Sequence, residues 1–352
     1  MPLNTGTYDI SALLAARFQS VADFDMNTVI RILQADLAAH NQIVQTMVAE
    51  MAEITTDRQR LYGSSIGGEM VETDEYGRAP TQRAAPGSTV GFPLRLFQFA
   101  VGWTRKYLEM ATPADLAQRQ LAAEQAHMRA IQRDLKRAIY GSANYTYRDH
   151  LVDNVDLAVK RFVNADSAAI PNGPNGETFD AATHTHYDAN AGLNATVLTA
   201  LVNDVIEHGH GAQVRIGINK ADEAAVRALA GFTAYPDPRI VFRATDTPAT
   251  TVDLSRLDNR PIGIFAGAEV WVKSWAIANY AVAWDAGDPR RPVSFRQRSQ
   301  TTLQGLRLAA DNDAYPLHAQ YMEAEFGLGV WTRTNGAVLY FGGGAYVNPT
   351  IS

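Results

Sequence analysis

The sequence predicts an α+β protein built on one long helix, with a projecting arm before the helix and β segments after it. Three observations carry this. A helix of helical-spaced apolar residues opens on a strong cap at Thr112 and runs to Gly141. About 50 residues just before it are charged and punctuated by Gly and Pro. Short strands and helices then alternate, and the last 60 or so residues read as β segments.

The chain has 352 residues, 46% hydrophobic and 19% charged, so it can bury a sizeable core. It has no cysteine, which excludes a disulfide framework, a thiolate nucleophile and a cysteine-ligated zinc site. Net charge is −6, giving no bulk attraction to nucleic acid. Arginine outnumbers lysine 26 to 5. Arginine suits protein interfaces, and a GC-rich genome explains the bias equally well. The N-terminus MPLNTGTYDIS lacks the basic and apolar regions of a signal peptide. No 18-residue uncharged apolar run occurs.

Residues 1–25 lack a sustained period and read as an extended N-terminal segment. From Met26 to Ile54, Val29, Leu33, Leu37, Val44, Met47, Val48 and Met51 recur at helical spacing, with Asp25 or Asn27 as cap. Residues 56–105 form the arm. Glu75-Tyr76-Gly77-Arg78 reads as a hairpin tip, and Phe92 to Trp103 as a strand. So long a connector has no core of its own, and something outside it must hold it.

Thr112-Pro113-Ala114-Asp115 starts the long helix, with Thr as cap and Pro at the first position. At 1.5 Å per residue the helix is roughly 40 Å long. Residues 141–192 read as loops, centred on Pro171 to Gly176, where Asn172 to Asp180 fails the EF-hand spacing and reads as a turn. Helices are expected at Leu193–Glu207, capped by Asn194, and at Lys220–Leu229. Strands are expected at Val214–Ile218, Ile240–Phe242, Ile262–Phe265 and Ala268–Ala276, so residues 193–285 form a mixed α/β unit. Val293–Leu308, Leu317–Phe326 and Gly329–Phe341 read as antiparallel β segments.

Candidate chemistry is sparse. Gly63-Ser64-Ser65-Ile66-Gly67 fits G-x-S-x-G, but a charged helix end precedes it and Gly-Gly-Glu-Met follows, so the strand-turn-helix of a nucleophile elbow is missing. A glycine hinge is the better account of Ser65. Two His-x-His pairs, His184/His186 and His208/His210, can each face one side of an extended segment and share a metal. Asp180, Asp188 or Glu207 can add an oxygen. Neither pair has a third ligand at motif spacing, and solvated loop histidines are the favoured reading, so no metal is expected. No P-loop, dinucleotide fingerprint, S-x-x-K or H-E-x-x-H occurs, and no catalytic residue or cofactor is expected.

The order of segments resembles that of the HK97-like major capsid proteins of tailed bacteriophages. The text of the last third is similar as well: GIFAGAEVWVKSWAIANYAVAW resembles the passage through that family's A domain. FRQRSQTTLQGLRL and MEAEFGLGVWTRTNGAVLYF resemble its closing P-domain strands. The resemblance implies an N-arm and helix at 1–55, an E-loop hairpin at 56–105 and a P domain at 106–193 and 291–352. The spine helix would occupy 112–140 and the A domain 194–290. It implies a virion shell protein that forms hexamers and pentamers, assembled in the host cytoplasm around double-stranded DNA touched non-specifically. Portal and scaffolding proteins, and a decoration protein in some shells, would be its partners, the scaffold being separate because the chain starts almost directly at the arm. Intersubunit contacts would come from the arm's Glu69, Glu72, Asp74, Glu75, Tyr76, Arg78 and Arg83, from Phe92 and Leu94 at its base, and from Arg129, Arg133 and Arg137 on the spine. Some members weld subunits with an arm lysine, but the first lysine here is Lys106, so no isopeptide cross-link is implied. An encapsulin-type compartment is the alternative within the fold. A soluble hydrolase using Ser65 or a His-x-His metal is the alternative outside it.

Overall fold

The computed structural model describes residues 10–15, 26–63, 70–81, 87–235 and 259–351. The strand expected at Ile240–Phe242, the serine motif at Ser65, and Glu69, Arg83 and Asp25 lie outside these.

The chain begins with helices α1 (Ile10–Ala15) and α2 (Met26–Val48). The first is a correction to the extended N-terminal segment: Leu13 is buried against Ala117 and Ile32. The helix expected through Ile54 stops earlier. Residues from Ala52 form strand β1 (Ala52–Thr55), which pairs in parallel with β13 (Val293–Gln297) some 240 positions away. β-branched Ile54 and Thr55 favour that extended state once a partner strand is present.

The arm is rooted by β2 (Gln59–Tyr62) and β3 (Ser88–Gly91), an antiparallel pair, and continues into β4 (Arg95–Thr104). Helix α3 (Arg105–Met110) leads to the long α4 (Pro113–Tyr140). The α4 start is the expected one. Thr112 accepts from the Asp115 amide while Asp115 accepts from the Thr112 amide, closing a capping box with Pro113 at the first turn. Its inner face carries Ala123, Ala130, Ile131, Ala138 and Ile139 in the main core, the alanines letting it lie close to the sheet, while Ala117 packs against α1 and α2.

Two sheets organise the body. The first runs β1–β13–β15–β14 with β4 also on β15, where β14 is Arg307–Ala314 and β15 is Leu317–Val330. The 14-residue β15 is the shared strand: β4 follows it over ten residue pairs, from Leu317↔Thr104 to Phe326↔Arg95. In β4, Phe97, Phe99 and Val101 turn partly inward while Leu96 faces out.

After the hairpin β5 (Tyr145–Arg148) and β6 (Asp156–Val159) comes the second sheet. It contains β7 (Tyr187–Ala191), β8 (Val214–Ile218), β9 (Thr233–Ala234), β10 (Asn259–Phe265), β11 (Ala268–Lys273), β12 (Tyr280–Asp285), β16 (Ala337–Tyr340) and β17 (Gly342–Gly343). Their order is β17–β7–β16–β12–β8–β11–β10–β9. Helix α5 (Ala195–Ile206) is capped by Asn194, as expected, and the short α6 (Glu223–Arg227) follows a 3-10 turn at Lys220–Asp222.

Strand β12, YAVAWD, is buried at every position because the sheet is covered on both faces. Ala281 and Ala283 join the α5 side with Leu198, Leu201 and Val205. Tyr280, Val282 and Trp284 join the opposite core with Ile131, Ile139 and Phe326. The C-terminal expectation needs correcting here. Val293–Leu308 is broken by a 3-10 turn at Thr301–Leu303, and Ala337–Tyr340 leaves the first sheet to pair with β12 and β7 in the second. The second sheet therefore draws strands from 187–191 and 337–343, outside the 194–290 span.

Candidate functional site

Two places carry the candidate residues: the projecting arm and a cluster of histidines at the edge of the second sheet.

At the arm, only part of Thr56–Arg105 leaves the body. Tyr62 is buried and donates its hydroxyl to Thr334, and Val90 and Phe92 pack with Trp331. The Arg60 guanidinium sits 4.4 Å over the Trp331 ring and bonds Glu53 and Asp57. Gly91 allows close approach here, since a Cβ would meet Leu157 at 2.7 Å. Phe92 and Leu94 are fully buried in their own chain. This corrects their reading as intersubunit contacts, and it corrects the view that the whole arm lacks a core. Apolar side chains flanking Pro93 gain more from the adjacent β15 and Trp331 than from solvent. A buried ion pair braces the root: Arg296 donates to the Phe92 carbonyl at 2.8 Å and to Asp149 at 2.9 Å.

Beyond that root the described residues 70–81 face solvent. Every residue from Met70 to Thr81 is exposed, with Met70 at 103% and Tyr76 at 91%. The turn read at 75–78 falls at Asp74–Gly77. The Gly77 amide donates to the Asp74 carbonyl and the Tyr76 amide to the Asp74 carboxylate. Glu72, Asp74, Glu75, Tyr76 and Arg78 are all exposed on it. On α4, Arg129 and Arg137 are exposed and Arg133 is half-buried, with Arg129 and Arg133 lining a groove of about 420 Å³ between α4 and β4.

The histidines are not solvated loop residues. His186 has no exposed surface, and its backbone is held from two sides: its amide donates to the Val163 carbonyl and its carbonyl accepts from Val338. His184 sits one step earlier on the same side of the chain. Glu207 caps the C-terminus of α5, and His208 follows it. The fold thereby brings His184, His186, His208 and Glu207 together. The Nε2 atoms of His184 and His208, and of His186 and His208, are 3.0 Å apart, and those of His184 and His186 are 3.2 Å apart. Glu207 Oε1 lies 3.2 Å from the His184 nitrogen and 3.6 Å from that of His208. The Phe179 ring covers His184 and His208, with centroids at 4.9 and 4.1 Å.

Burial disfavours the imidazolium here. It holds His186 well below its ordinary value and His208 at about 3, each helped by neighbouring histidines. Burial, followed by the neighbouring Asp188, raises Asp204, and the same two causes raise Glu207.

His210, the fourth candidate, is separate. It bonds Asp288 at 2.8 Å through Nδ1 and Thr334 at 2.9 Å through Nε2, so both ring nitrogens are engaged. Asp180 caps its own turn through the Ala182 amide and the Thr183 hydroxyl. The stretch from Asn172 is a turn as expected, closed by the Gly173 amide on the Glu177 carbonyl. The third histidine that His184 and His186 lack is His208 of the other motif, a convergence set by the fold that spacing alone does not encode.

No protein-family model and no curated protein matches the chain. Solved structures do. A chain of the structure of Mycobacterium phage Patience superposes with a TM-score of 0.69 at 20% identity, over 99% of this chain and 97% of that one. The fold is the HK97-like capsid fold. Looser matches include the capsid of a native GTA particle (TM-score 0.49, 18% identity, 84% of this chain and 90% of that one). Another is the SrpI encapsulin complex of Synechococcus elongatus PCC 7942 (TM-score 0.44, 12% identity, 84% and 87%).

Proposed function

We propose that this chain is the major shell protein of a tailed-phage virion. It would assemble into hexamers and pentamers of an icosahedral capsid in the host cytoplasm around double-stranded DNA. The observation that carries the reading is the HK97-like fold spanning 99% of the chain. The arm supplies the physical reason for assembly. Met70, Val71 and Tyr76 are exposed on a segment whose residues 70–81 are all exposed. Burying each on a neighbour gives about 1.5–3 kcal/mol, offset in part by ordering the arm. Glu72, Asp74, Glu75 and Arg78 would set the register of that contact, and Arg129, Arg133 and Arg137 offer charge on the spine. Many copies of a modest contact hold a closed shell. Portal, scaffolding and decoration proteins are the further partners of this reading.

The test compares the full chain with one in which Met70–Thr81 is replaced by a Gly-Ser linker. Electron microscopy should show shells or capsomer rings for the full chain and their loss for the variant, while both melt at nearly the same temperature. A full chain that stays monomeric at every concentration, or a variant that assembles as well, overturns the proposal.

A further inference from the structure

We propose that His184, His186, His208 and Glu207 form a zinc site that ties the entry of β7 to the end of α5. A four-coordinate ion bonded at 2.0–2.1 Å sets its ligand atoms about 3.3–3.4 Å apart. The observed separations among the three nitrogens are 3.0–3.2 Å, and Glu207 adds an oxygen at 3.2 and 3.6 Å from two of them. All four atoms lie within 4.8 Å of one another. The donor set of three imidazoles and one carboxylate suits zinc and not magnesium or calcium, which take oxygen ligands.

Hydrogen bonding alone does not account for the cluster. Each Nε2 is either an N–H or a bare lone pair, so among three mutually adjacent nitrogens at least two are alike. Two facing lone pairs repel, and so do two facing N–H groups. His186 fixes one member: its Nδ1 donates to the Gly336 carbonyl at 2.8 Å, which leaves Nε2 a lone pair aimed into the cluster. Glu207 Oε1 is buried there with no hydrogen-bond donor. A cation bound to all four atoms resolves each of these conflicts at once.

The surroundings favour positive charge. The ligands Glu207 and His208 stand at the carbonyl end of a 12-residue helix, the negative end of its dipole. Four protein ligands make a closed site, so the ion would brace the fold and not perform catalysis. His184 and Glu207, 20% and 36% exposed, leave a path for its entry. The site lies within one chain and does not rest on the shell reading.

The full-length protein is stripped with a chelator and titrated with zinc chloride, with binding read by calorimetry and metal content by elemental analysis. One zinc per chain and a raised Tm are expected, and cobalt(II) should give the intense visible bands of tetrahedral coordination. Loss of an outer-sphere partner alone weakens metal sites about 10–100-fold, so His184→Gln and His208→Gln should each exceed about 100-fold and abolish the Tm gain. His150→Gln, an exposed histidine elsewhere, should change neither. If His208→Gln does not fold, His184→Gln carries the test. Substoichiometric zinc, binding that survives His184→Gln, or a weak octahedral cobalt spectrum overturns the proposal.

Discussion

Replacing Arg296 with Met tests how the arm is anchored. Arg296 is 4% exposed and its partner Asp149 is fully buried, 2.9 Å away. The same guanidinium holds the Phe92 carbonyl at 2.8 Å, so one side chain ties β13, the 149–154 turn and the arm root. Among the described residues, Arg296→Met leaves the buried carboxylate with Arg58 Nε as its remaining cation, at 3.7 Å, and leaves a carbonyl without this donor. Breaking a buried pair from one side costs about 3–5 kcal/mol. At about 2.1 cal/mol/K per residue, unfolding 352 residues carries about 0.74 kcal/mol/K, so Tm should fall by about 4–7 °C. The assay is thermal and urea unfolding of the unassembled chain, followed by circular dichroism. The cost arises from an uncompensated charge. Asp149→Asn added to Arg296→Met should therefore recover part of the loss, even though Asp149→Asn alone destabilises. A single variant within about 1 kcal/mol of the parent, or a double variant whose losses simply add, would refute this reasoning.

Two further outcomes are expected. Asp166 is pushed up by burial but held at about 2 by the Lys160 hydrogen bond at 2.7 Å and the nearby Arg333. A carboxyl depressed in the folded state adds stability that is complete above its unfolded value near 3.8 and is lost as pH falls toward about 2. The loss should be about 2 kcal/mol across that window in urea midpoints, and Asp166→Asn should flatten it. Assembled particles boiled in detergent should run as single chains of 38.4 kDa, since the arm contains no lysine to form a cross-link; a covalent ladder on the gel would contradict this.

Local chemistry made several elements readable. The capping box at Thr112 and Asp115 and the Asn194 cap each act within a few residues, and their signals survive in any tertiary setting. Strand β4 was legible as a strand because one side of it meets α4 and the core. The extension of α2 through Ile54 failed because apolar spacing alone does not separate a helix from a buried strand when the partner, β13, is distant in sequence. Arm residues Phe92 and Leu94 were misplaced for a related reason, since the sequence shows that they are apolar but not which surface covers them.

The sequence by itself determined the α+β class, the long capped helix, the charged arm ahead of it and the absence of cysteine chemistry. Only the tertiary structure decided that Ala337–Tyr340 joins the second sheet, that the arm is rooted by Arg296 and Asp149, and that His208 joins His184 and His186. The physical reason is range. Caps and periodicity act over three or four residues along the chain. Sheet membership and ligand convergence depend on contacts between segments 22 to 241 positions apart, whose energies are set by what each surface finds to cover it.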